Sequence, residues 1–183
     1  MMAITPAEIA QIQAYFEERR ISYDADTLLR FDLYHTLILS RSARMNLVSR
    51  NDLKNLVPNH ILDSLDPIAL IPVTGNILDV GSGAGFPAIP LAIVRPKVCF
   101  SLLESVHKKI LFLHLAKEKL GLANVEILEM RLEDLSEKDK FGLATVRALP
   151  KWEKLLGRIK EHVRPGGKVI LYEKRGLFRT IGV

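Results

Sequence analysis

The sequence lacks most of the patterns that mark secreted, metal-binding or membrane-spanning proteins. Cys99 is the only cysteine among 183 residues, so the chain cannot form an internal disulfide. No group of cysteines and histidines has the spacing of zinc ligands. The first residues do not combine a basic start with an apolar core, as a signal peptide does. No apolar run reaches the ~18 residues of a membrane-spanning helix. These absences predict a cytoplasmic protein with no metal site and no membrane partner.

Positive charge is unevenly distributed along the chain. The formal net charge is +5, but residues 147–183 hold ten basic and three acidic residues, a local balance of +7. Residues 1–146 hold 16 basic and 18 acidic residues, a balance of −2. A basic segment on a near-neutral body favours a polyanionic partner such as nucleic acid. A solvated face that aids solubility is the alternative interpretation.

The first part of the chain has the apolar spacing of helices. A capping box and a proline at the first helical position mark one helix start. The pattern predicts three helices, which begin at Thr5-Pro6, run from Asp24 or Asp26 to about Arg41, and lie within 52–66. Pro67 and Pro72 then interrupt the helical pattern. We expect residues 1–72 to form a helical cap packed on the rest of the chain.

From Asn76 onward, short apolar runs alternate with helical segments. The predicted strands are 76–80, 98–103, 125–128, 143–146 and 168–172. The predicted helices are 87–94, 105–120 and 151–162, and Pro165-Gly166-Gly167 is predicted to form a turn. Such alternation implies a parallel sheet covered by helices on both faces. The predicted fold class is therefore α/β, with a doubly wound, mostly parallel sheet over residues 73–183.

A glycine-rich motif follows the first predicted strand, where open α/β sheets bind their ligands. It reads Asp79-Val-Gly81-Ser-Gly83-Ala-Gly85-Phe86. Glycines at such a turn let the backbone approach a ligand closely. The dinucleotide-binding fingerprint G-x-G-x-x-G would place its third glycine where Phe86 stands. The observed D-x-G-x-G-x-G pattern is that of S-adenosylmethionine-binding domains, so the motif predicts this cofactor and a site formed by its five named residues.

Acidic residues follow the next two predicted strands. Glu104 ends the second strand, where a carboxylate can accept hydrogen bonds from both ribose hydroxyls of an adenosine. Capping of the helix that starts near Ser105 is the alternative role for Glu104. Residues 130–134, Met-Arg-Leu-Glu-Asp, follow the third strand, where an adenine ring would rest in this fold. A solvated acidic turn is an equally open interpretation of that segment.

The residues available near the fourth strand bear on the target atom. Cys99 lies within a strand among apolar residues, which argues against the nucleophilic cysteine that pyrimidine C5 methylation needs. The segment Val146-Arg-Ala-Leu-Pro150 does not match the Asn/Asp-Pro-Pro-aromatic loop that usually accompanies methylation of exocyclic amines. A ring nitrogen such as guanine N7 needs no general base, only alignment and electrostatic stabilisation. Arg147 could hold a cofactor carboxylate, an RNA phosphate or a guanine edge, or form a structural ion pair.

The chain resembles the RsmG (GidB) family, the bacterial 16S ribosomal RNA guanine-N7 methyltransferases, from about Met45 to Gly176. The most specific matching blocks are the glycine motif extended through Pro87-Ala-Ile-Pro90-Leu91 and the block His60-x-x-Asp63-Ser64-Leu65. Further matches are Met45-Asn46-Leu47, Leu103-Glu104-Ser105 with Lys108-Lys109, Arg131-x-Glu133, Arg147-Ala148 and Tyr172-x-Lys174-x-Gly176.

The resemblance implies a class I, Rossmann-like methyltransferase that transfers a methyl group from S-adenosylmethionine to N7 of one guanosine. The implied partner is 16S ribosomal RNA or the small ribosomal subunit. The family's cofactor contacts fall on Gly81, Phe86, Leu132, Glu133 and Arg147. Arg147 is also the expected catalytic residue and, with Lys174, an expected substrate contact. His60 and Asp63 are expected to join the cap to the α/β domain rather than to contact RNA.

The C-terminal end of the sequence leaves other functions open. Domains of this type usually continue past the fifth strand through a helix and a two-strand hairpin, whereas seven residues follow Gly176. We therefore expect shortened C-terminal strands. A non-catalytic RNA- or ribosome-binding protein that retains the methyltransferase fold is the alternative function. A small-molecule methyltransferase is a weaker alternative, because the last quarter of the chain is strongly basic.

Overall fold

A six-stranded sheet forms the centre of the computed structural model, which describes residues 4–173 and 176–183. The strands are β1 (Gly75–Val80), β2 (Val98–Leu103), β3 (Val125–Leu128), β4 (Phe141–Arg147), β5 (Val163–Tyr172) and β6 (Phe178–Gly182). Their order across the sheet is β3-β2-β1-β4-β5-β6. The strands from β3 to β5 are parallel, and β6 runs antiparallel to β5. The predicted mostly parallel α/β architecture is confirmed.

Helices precede the sheet and connect its strands. They are α1 (Pro6–Glu18), α2 (Ala25–Met45), α3 (Asp63–Leu65), α4 (Ala88–Val94), α5 (His107–Leu120) and α6 (Trp152–Glu161). Short 3-10 turns occur at Asp52–Asn55, Ile68–Leu70 and Leu132–Asp134. Among the described residues, no helix is both long enough and apolar enough to cross a bilayer.

Local side-chain chemistry sets the ends of the first two helices. The Thr5 hydroxyl accepts a hydrogen bond from the Glu8 backbone N–H at 3.2 Å, and the Glu8 carboxylate accepts one from the Thr5 N–H at 2.9 Å. This reciprocal pair is the predicted capping box. Helix α2 continues past the predicted end near Arg41 as far as Met45. It ends there because Asn46 adopts a left-handed conformation, with φ 50°.

The helix predicted within 52–66 is confirmed as helical but is irregular. A 3-10 turn is followed by a π-helical turn at Val57–Leu62, which leads directly into α3. Pro58, which has no backbone N–H, lies at the start of the π-helical turn. This segment brings His60 and Asp63 next to the carboxyl ends of β4 and β5, because both residues lie close to Arg147 and Ser64 accepts a hydrogen bond from Tyr172.

The predicted turn at Pro165-Gly166-Gly167 is wrong, because β5 already begins at Val163 and runs through these residues. The pairing between β4 and β5 skips residues 164–167 opposite Gly142, so the extra residues form an irregularity within the strand. A Cβ on Gly167 would lie 2.7 Å from the Gly142 carbonyl oxygen. Glycine is therefore required by the close approach of two strands rather than by a turn.

Side chains of the central strands alternate between two hydrophobic clusters. On one face of the sheet, Ile77 packs in a cluster with side chains of α1, α2, α4 and α5. On the other face, Leu78 packs with Leu132 and with Ile159 of α6. Neighbouring strand residues point to opposite faces, and both faces are covered. This burial explains why the strands read as continuous apolar runs in the sequence.

Candidate functional site

A cavity of about 280 Å³ lies at the carboxyl ends of β1, β2 and β3. Gly81, Glu104, Leu132 and Glu133, all predicted cofactor contacts, line this cavity. Because the three strands are neighbours in the sheet, residues that are far apart in the sequence meet at one edge. This edge is where open α/β sheets bind ligands. We call this space the first cavity.

Gly81 begins the glycine loop and borders the first cavity. Its φ of 74° is in the left-handed region, and a Cβ added there would lie 2.9 Å from Cδ1 of Leu149. Its backbone N–H donates a hydrogen bond to the Leu103 carbonyl oxygen at 2.9 Å, which ties the loop to β2. The absence of a side chain therefore allows close contact between the loop and the segment after β4.

The other two glycines of the motif do not line the first cavity. Gly85 has φ 92°, and a Cβ there would overlap the Ile89 side chain and lie 3.2 Å from Oη of Tyr34. The Tyr34 hydroxyl donates a hydrogen bond of 2.7 Å to the Ala84 carbonyl oxygen. Gly83 donates its N–H to the Glu104 carboxylate at 2.9 Å. Both glycines thus serve the shape and packing of the loop.

The Glu104 carboxylate is buried in the wall of the first cavity, with 6% of the residue exposed. Oε1 accepts hydrogen bonds from the N–H groups of Ser105 and Val106, each at 2.9 Å, just before α5 begins. Oε2 accepts from Gly83, and the Lys109 ammonium lies 4.0 Å away. These bonds hold the segment before α5, which begins at His107 without a side-chain cap, so Glu104 does not cap the helix as the alternative interpretation expected. Its carboxylate lies in the wall of the cavity, where the ribose-binding interpretation places it.

Asp79 lies behind the glycine loop rather than in the first cavity. It is 1% exposed, and its Oδ1 accepts a hydrogen bond from the Thr145 hydroxyl at 2.7 Å. Burial raises the pKa of the Asp79 carboxyl to about 7, although hydrogen bonds from Thr145 and Ser82 act in the opposite direction. The geometry joins β1 to β4 through this carboxyl.

Phe86, the residue in the dinucleotide-fingerprint position, packs in the core between the cap and the sheet. Its ring centroid is 5.3 Å from that of Tyr34 and 5.0 Å from that of His60. The Arg147 guanidinium carbon lies 5.6 Å from the Phe86 centroid. Phe86 is 8% exposed and does not line the first cavity.

Arg147, the predicted catalytic residue, points to the segment before β1. Its Nη2 lies 2.7 Å from the Asp63 carboxylate and donates to the Asn59 carbonyl oxygen at 2.8 Å. Its Nη1 donates to the Ser64 hydroxyl at 3.1 Å. Only 14% of the Arg147 side chain is exposed. The structural ion pair, one of the four roles open from the sequence, is thus formed, and Arg147 does not line the first cavity.

His60 is held in its neutral form beside this ion pair. Burial, together with the nearby Arg147 charge, lowers the pKa of His60 to about 4, although Asp52 acts in the opposite direction. The His60 Nδ1 lies 3.4 Å from Nη2 of Arg147. A neutral ring there avoids placing a second positive charge against the guanidinium.

Three site residues were missed by the sequence analysis as individual contributors. The Tyr172 hydroxyl donates to the Ser64 carbonyl oxygen at 2.7 Å, a contact that only its place in a matching block could have indicated. Tyr34 supports the glycine loop, and no motif around it signals this role. Leu149 lies against Gly81 of the glycine loop, and Ala148 before it adopts a left-handed conformation, with φ 52°.

A second cavity, of about 570 Å³, lies across the segment that follows β4. Ala148 and Leu149 line both cavities, so these two residues separate them. Aromatic and charged side chains complete its wall, namely His60, Arg147, Trp152, Glu153, Tyr172, Glu173 and Arg179. Lys174, the other predicted substrate contact, lies outside the described residues.

Sequence comparison identifies one family over most of the chain. The family model described as rRNA small subunit methyltransferase G (GidB) matches residues 28–177. The ribosomal RNA small subunit methyltransferase G of Oenococcus oeni is 36% identical over 151 residues, which cover 79% of this chain and 62% of that protein. The protein of the same name from Solibacter usitatus is 37% identical, covering 75% and 65%. The chain thus spans less than two thirds of the length of these two relatives.

Solved structures show the same fold at low sequence identity. The YcgJ protein of Bacillus subtilis matches with a TM-score of 0.51 and 19% identity, over 58% of this chain and 47% of that one. TYW2 of M. jannaschii, solved in complex with AdoMet, matches with a TM-score of 0.56 and 17% identity, over 67% and 52%. These similarities concern the architecture of the sheet and its helices.

Proposed function

The chain belongs to the rRNA small subunit methyltransferase G (GidB) family, and from this premise we propose that it methylates N7 of a guanosine in 16S ribosomal RNA. We propose S-adenosylmethionine as the methyl donor and the cytoplasm as the location. The proposal includes no metal ion and no membrane partner.

The first cavity is the observation that carries this proposal. It brings a glycine with φ 74°, a buried carboxylate and the Leu132–Glu133 turn to one edge of the sheet. These features fit an adenosyl group: Glu104 can accept hydrogen bonds from ribose hydroxyls, and Leu132 offers apolar contact to an adenine ring. When bound, S-adenosylmethionine supplies a methyl group activated by a positively charged sulfur. Asp79, Gly83, Gly85 and Phe86 support this site from behind rather than bordering it.

Guanine N7 suits the residues that this chain offers. Its lone pair is free at neutral pH, and no proton has to leave the ring when the N–C bond forms, so the reaction needs no general base. The protein has to hold the base in line and exclude water. Arg147 acts here through the ion pair with Asp63, which fixes the end of β4 between the two cavities. We propose that it is a positioning residue for the reaction.

Basic side chains at both cavities support an RNA partner. Lys109 and Arg131 line the first cavity, and Arg179, whose side chain is 52% exposed, lines the second. The surplus of seven positive charges over residues 147–183 is on the same part of the chain as the second cavity. Neutralisation of phosphates by such groups makes binding strongly dependent on salt. We propose free 16S ribosomal RNA or the small ribosomal subunit as the substrate.

Transfer of a labelled methyl group tests the proposed function. The chain is incubated with methyl-labelled S-adenosylmethionine and 16S ribosomal RNA, supplied both free and in small subunits, from cells that lack this modification. The expected result is one labelled nucleoside that co-migrates with 7-methylguanosine, together with calorimetric binding of S-adenosylhomocysteine. Binding to RNA without any affinity for S-adenosylhomocysteine would instead support the non-catalytic RNA-binding alternative.

A further inference from the structure

We propose that the second cavity receives the guanine to be methylated, with Trp152 as its stacking surface and Glu173 as its hydrogen-bond acceptor. The inference rests on the proposed function and names the subsite and the residues that select the base. The cavity volume of about 570 Å³ is within the range of roughly 300–1,000 Å³ that is usual for small-molecule sites. The second cavity is also larger than the first cavity, which S-adenosylmethionine would occupy.

The position of the second cavity suits the acceptor of a transferred group. Its floor is formed by the carboxyl ends of β4 and β5, through Val146 and Leu171, on the other side of Ala148 and Leu149 from the first cavity. A base in this cavity would therefore lie next to the first cavity with only Ala148 and Leu149 between them, and its N7 has to reach past these two side chains to within about 3–3.5 Å of the methyl carbon. Ala148 and Lys151 both have positive φ values, 52° and 57°. Strained backbone of this kind is concentrated at functional sites.

Trp152 offers a flat apolar surface in this cavity. It is partly buried at the start of α6, and the Arg179 guanidinium carbon lies 5.3 Å from its ring centroid. RNA-binding proteins recognise unpaired bases by stacking them on aromatic rings and guanidinium planes. Enzymes that modify a base also take it out of its stack into such a pocket. The two groups together supply the contacts that a single extruded base requires.

Glu173 supplies the selectivity for guanine. Its Oε1 lies 3.1 Å from Nε of Arg179, so the cation that lies over the Trp152 ring also orients the carboxylate. A carboxylate only accepts hydrogen bonds. The Watson–Crick edge of guanine presents two adjacent donors, N1–H and the N2 amino group, whereas adenine presents an acceptor at N1. One carboxylate can therefore bind guanine in a bidentate manner and disfavour adenine.

The chemistry of the product provides a second test of this pocket. A guanine methylated at N7 carries a positive charge on its ring. Aromatic faces attract such cations, and a nearby carboxylate adds to the attraction. The pocket is therefore expected to bind 7-methylguanosine monophosphate more tightly than guanosine monophosphate, by roughly fivefold for a contact of about 1 kcal/mol.

Trp152 is the only tryptophan in the chain, so its fluorescence reports on this cavity directly. Guanosine, adenosine and 7-methylguanosine monophosphates are titrated up to millimolar concentrations against the full chain saturated with S-adenosylhomocysteine. We expect guanosine monophosphate to quench the fluorescence and to bind about tenfold more tightly than adenosine monophosphate, as one discriminating base contact predicts. Absence of any quenching by the guanine nucleotides would overturn the proposal.

Three glutamate variants test the selectivity. Glu173→Gln is expected to remove the preference for guanine, while S-adenosylhomocysteine still binds to the first cavity. Glu118→Gln changes the same charge on an exposed residue of α5 that lines neither cavity, and should leave the preference intact. Loss of the preference in Glu153→Gln but not in Glu173→Gln would refute the role of Glu173. Failure of the chain without substitutions to bind S-adenosylhomocysteine would count against the proposed function instead.

Discussion

At the scale of single residues, Gly81 has the conformation that the glycine motif requires. Its φ of 74° is one that side-chain-bearing residues rarely adopt. The space where a Cβ would point is already occupied by Leu149 at 2.9 Å. A larger residue must therefore displace Leu149 and enter the region where the loop borders the first cavity.

Gly81→Arg is expected to abolish binding of S-adenosylhomocysteine, with at least ~100-fold weaker affinity, equivalent to about 2.7 kcal/mol. Isothermal titration calorimetry measures the affinity, and circular dichroism checks that the variant is folded. Gly157→Arg is the matched control, because nothing lies within 4 Å of a Cβ at Gly157. Unchanged affinity in folded Gly81→Arg would show that the loop does not border the cofactor.

Asp79 is predicted to make stability depend on pH. The folded chain holds the carboxyl proton up to about pH 7, whereas an unfolded chain loses it near pH 4. Between these values the native state binds more protons, so the contribution of Asp79 to stability declines as the pH rises. Below this window the contribution is fully present, and above it no further change is expected.

Asp79→Asn removes this titration but can keep an oxygen acceptor for the Thr145 hydroxyl. The free energy of unfolding of the variant, relative to that of the original chain, is expected to increase from about pH 4 to about pH 7 and then to level off. Urea denaturation at a series of pH values measures the difference. A difference that is constant over this range, or that decreases, would contradict the burial of an ionisable group at this position.

At the scale of elements, the junction between the segment 57–65 and the end of β4 depends on Arg147. The guanidinium contacts the Asp63 carboxylate, the Asn59 carbonyl oxygen and the Ser64 hydroxyl. Asp63 also accepts a hydrogen bond of 2.7 Å from the backbone N–H of Gly176, which follows β5. One ion pair thus links three parts of the chain next to the second cavity.

Arg147→Ala is expected to lower the free energy of unfolding by about 3 kcal/mol, because it removes the cation opposite a buried carboxylate. Asp63→Asn should have a similar cost, and the double variant should cost clearly less than the sum of the two. Chemical denaturation of the four proteins measures this coupling. Arg30→Ala, which breaks an exposed pair with Asp26, is the control and should cost at most about 0.5 kcal/mol. If the costs of the two single variants simply add in the double variant, the ion pair does not stabilise the fold, and Arg147 would instead be available to bind cofactor or RNA directly.

Elements set by neighbouring residues could be predicted from the sequence, whereas contacts between distant residues could not. The capping box at Thr5, the strand at Val98–Leu103 and the helix end at Gly121 each depend on a short window. The glycine pair at 166–167 was misinterpreted because a bulge and a turn use the same residues. Whether a bulge or a turn forms is determined by β4, because its Gly142 carbonyl oxygen lies close to Gly167.

The same distinction applies to the candidate site. The residues lining the first cavity follow their strands directly, so the position of each strand end predicted the location of Gly81 and Glu104. Phe86 and Arg147 turn away from that cavity because of the cap, through Tyr34 and Asp63. The family resemblance indicated that Asp63 joins the cap to the domain, but the sequence could not indicate that Arg147 is its partner or that Tyr34 packs on Phe86, since both pairs are more than 50 positions apart.

At the scale of the whole molecule, the cap and the sheet share one hydrophobic cluster. Ile12 of α1 and Phe31 of α2 are fully buried in the same cluster as Ile77 of β1 and Ile170 of β5. Trp152 packs against the other cluster, on the opposite face of the sheet. We propose that residues 1–72 and 73–183 unfold as one cooperative unit, as small domains with a continuous core usually do.

Ile12→Ala tests this proposal, because it creates a cavity in the cap far from the only tryptophan. Truncation of a buried isoleucine costs about 2–5 kcal/mol. If the core is continuous, helix content measured by circular dichroism and Trp152 fluorescence should shift to the same lower urea concentration. Leu29→Ala replaces a residue of α2 that is 53% exposed. It should change the free energy of unfolding measured by either signal by at most ~0.5 kcal/mol. If the cap were a separate unit, Ile12→Ala would lower the midpoint of the circular dichroism signal while the Trp152 transition stayed in place. The shared cluster predicts that the two transitions coincide. Ile12 packs in the cluster that covers one face of the sheet, and Trp152 packs against the cluster on the other face, so loss of the first cluster should unfold the sheet that both clusters share.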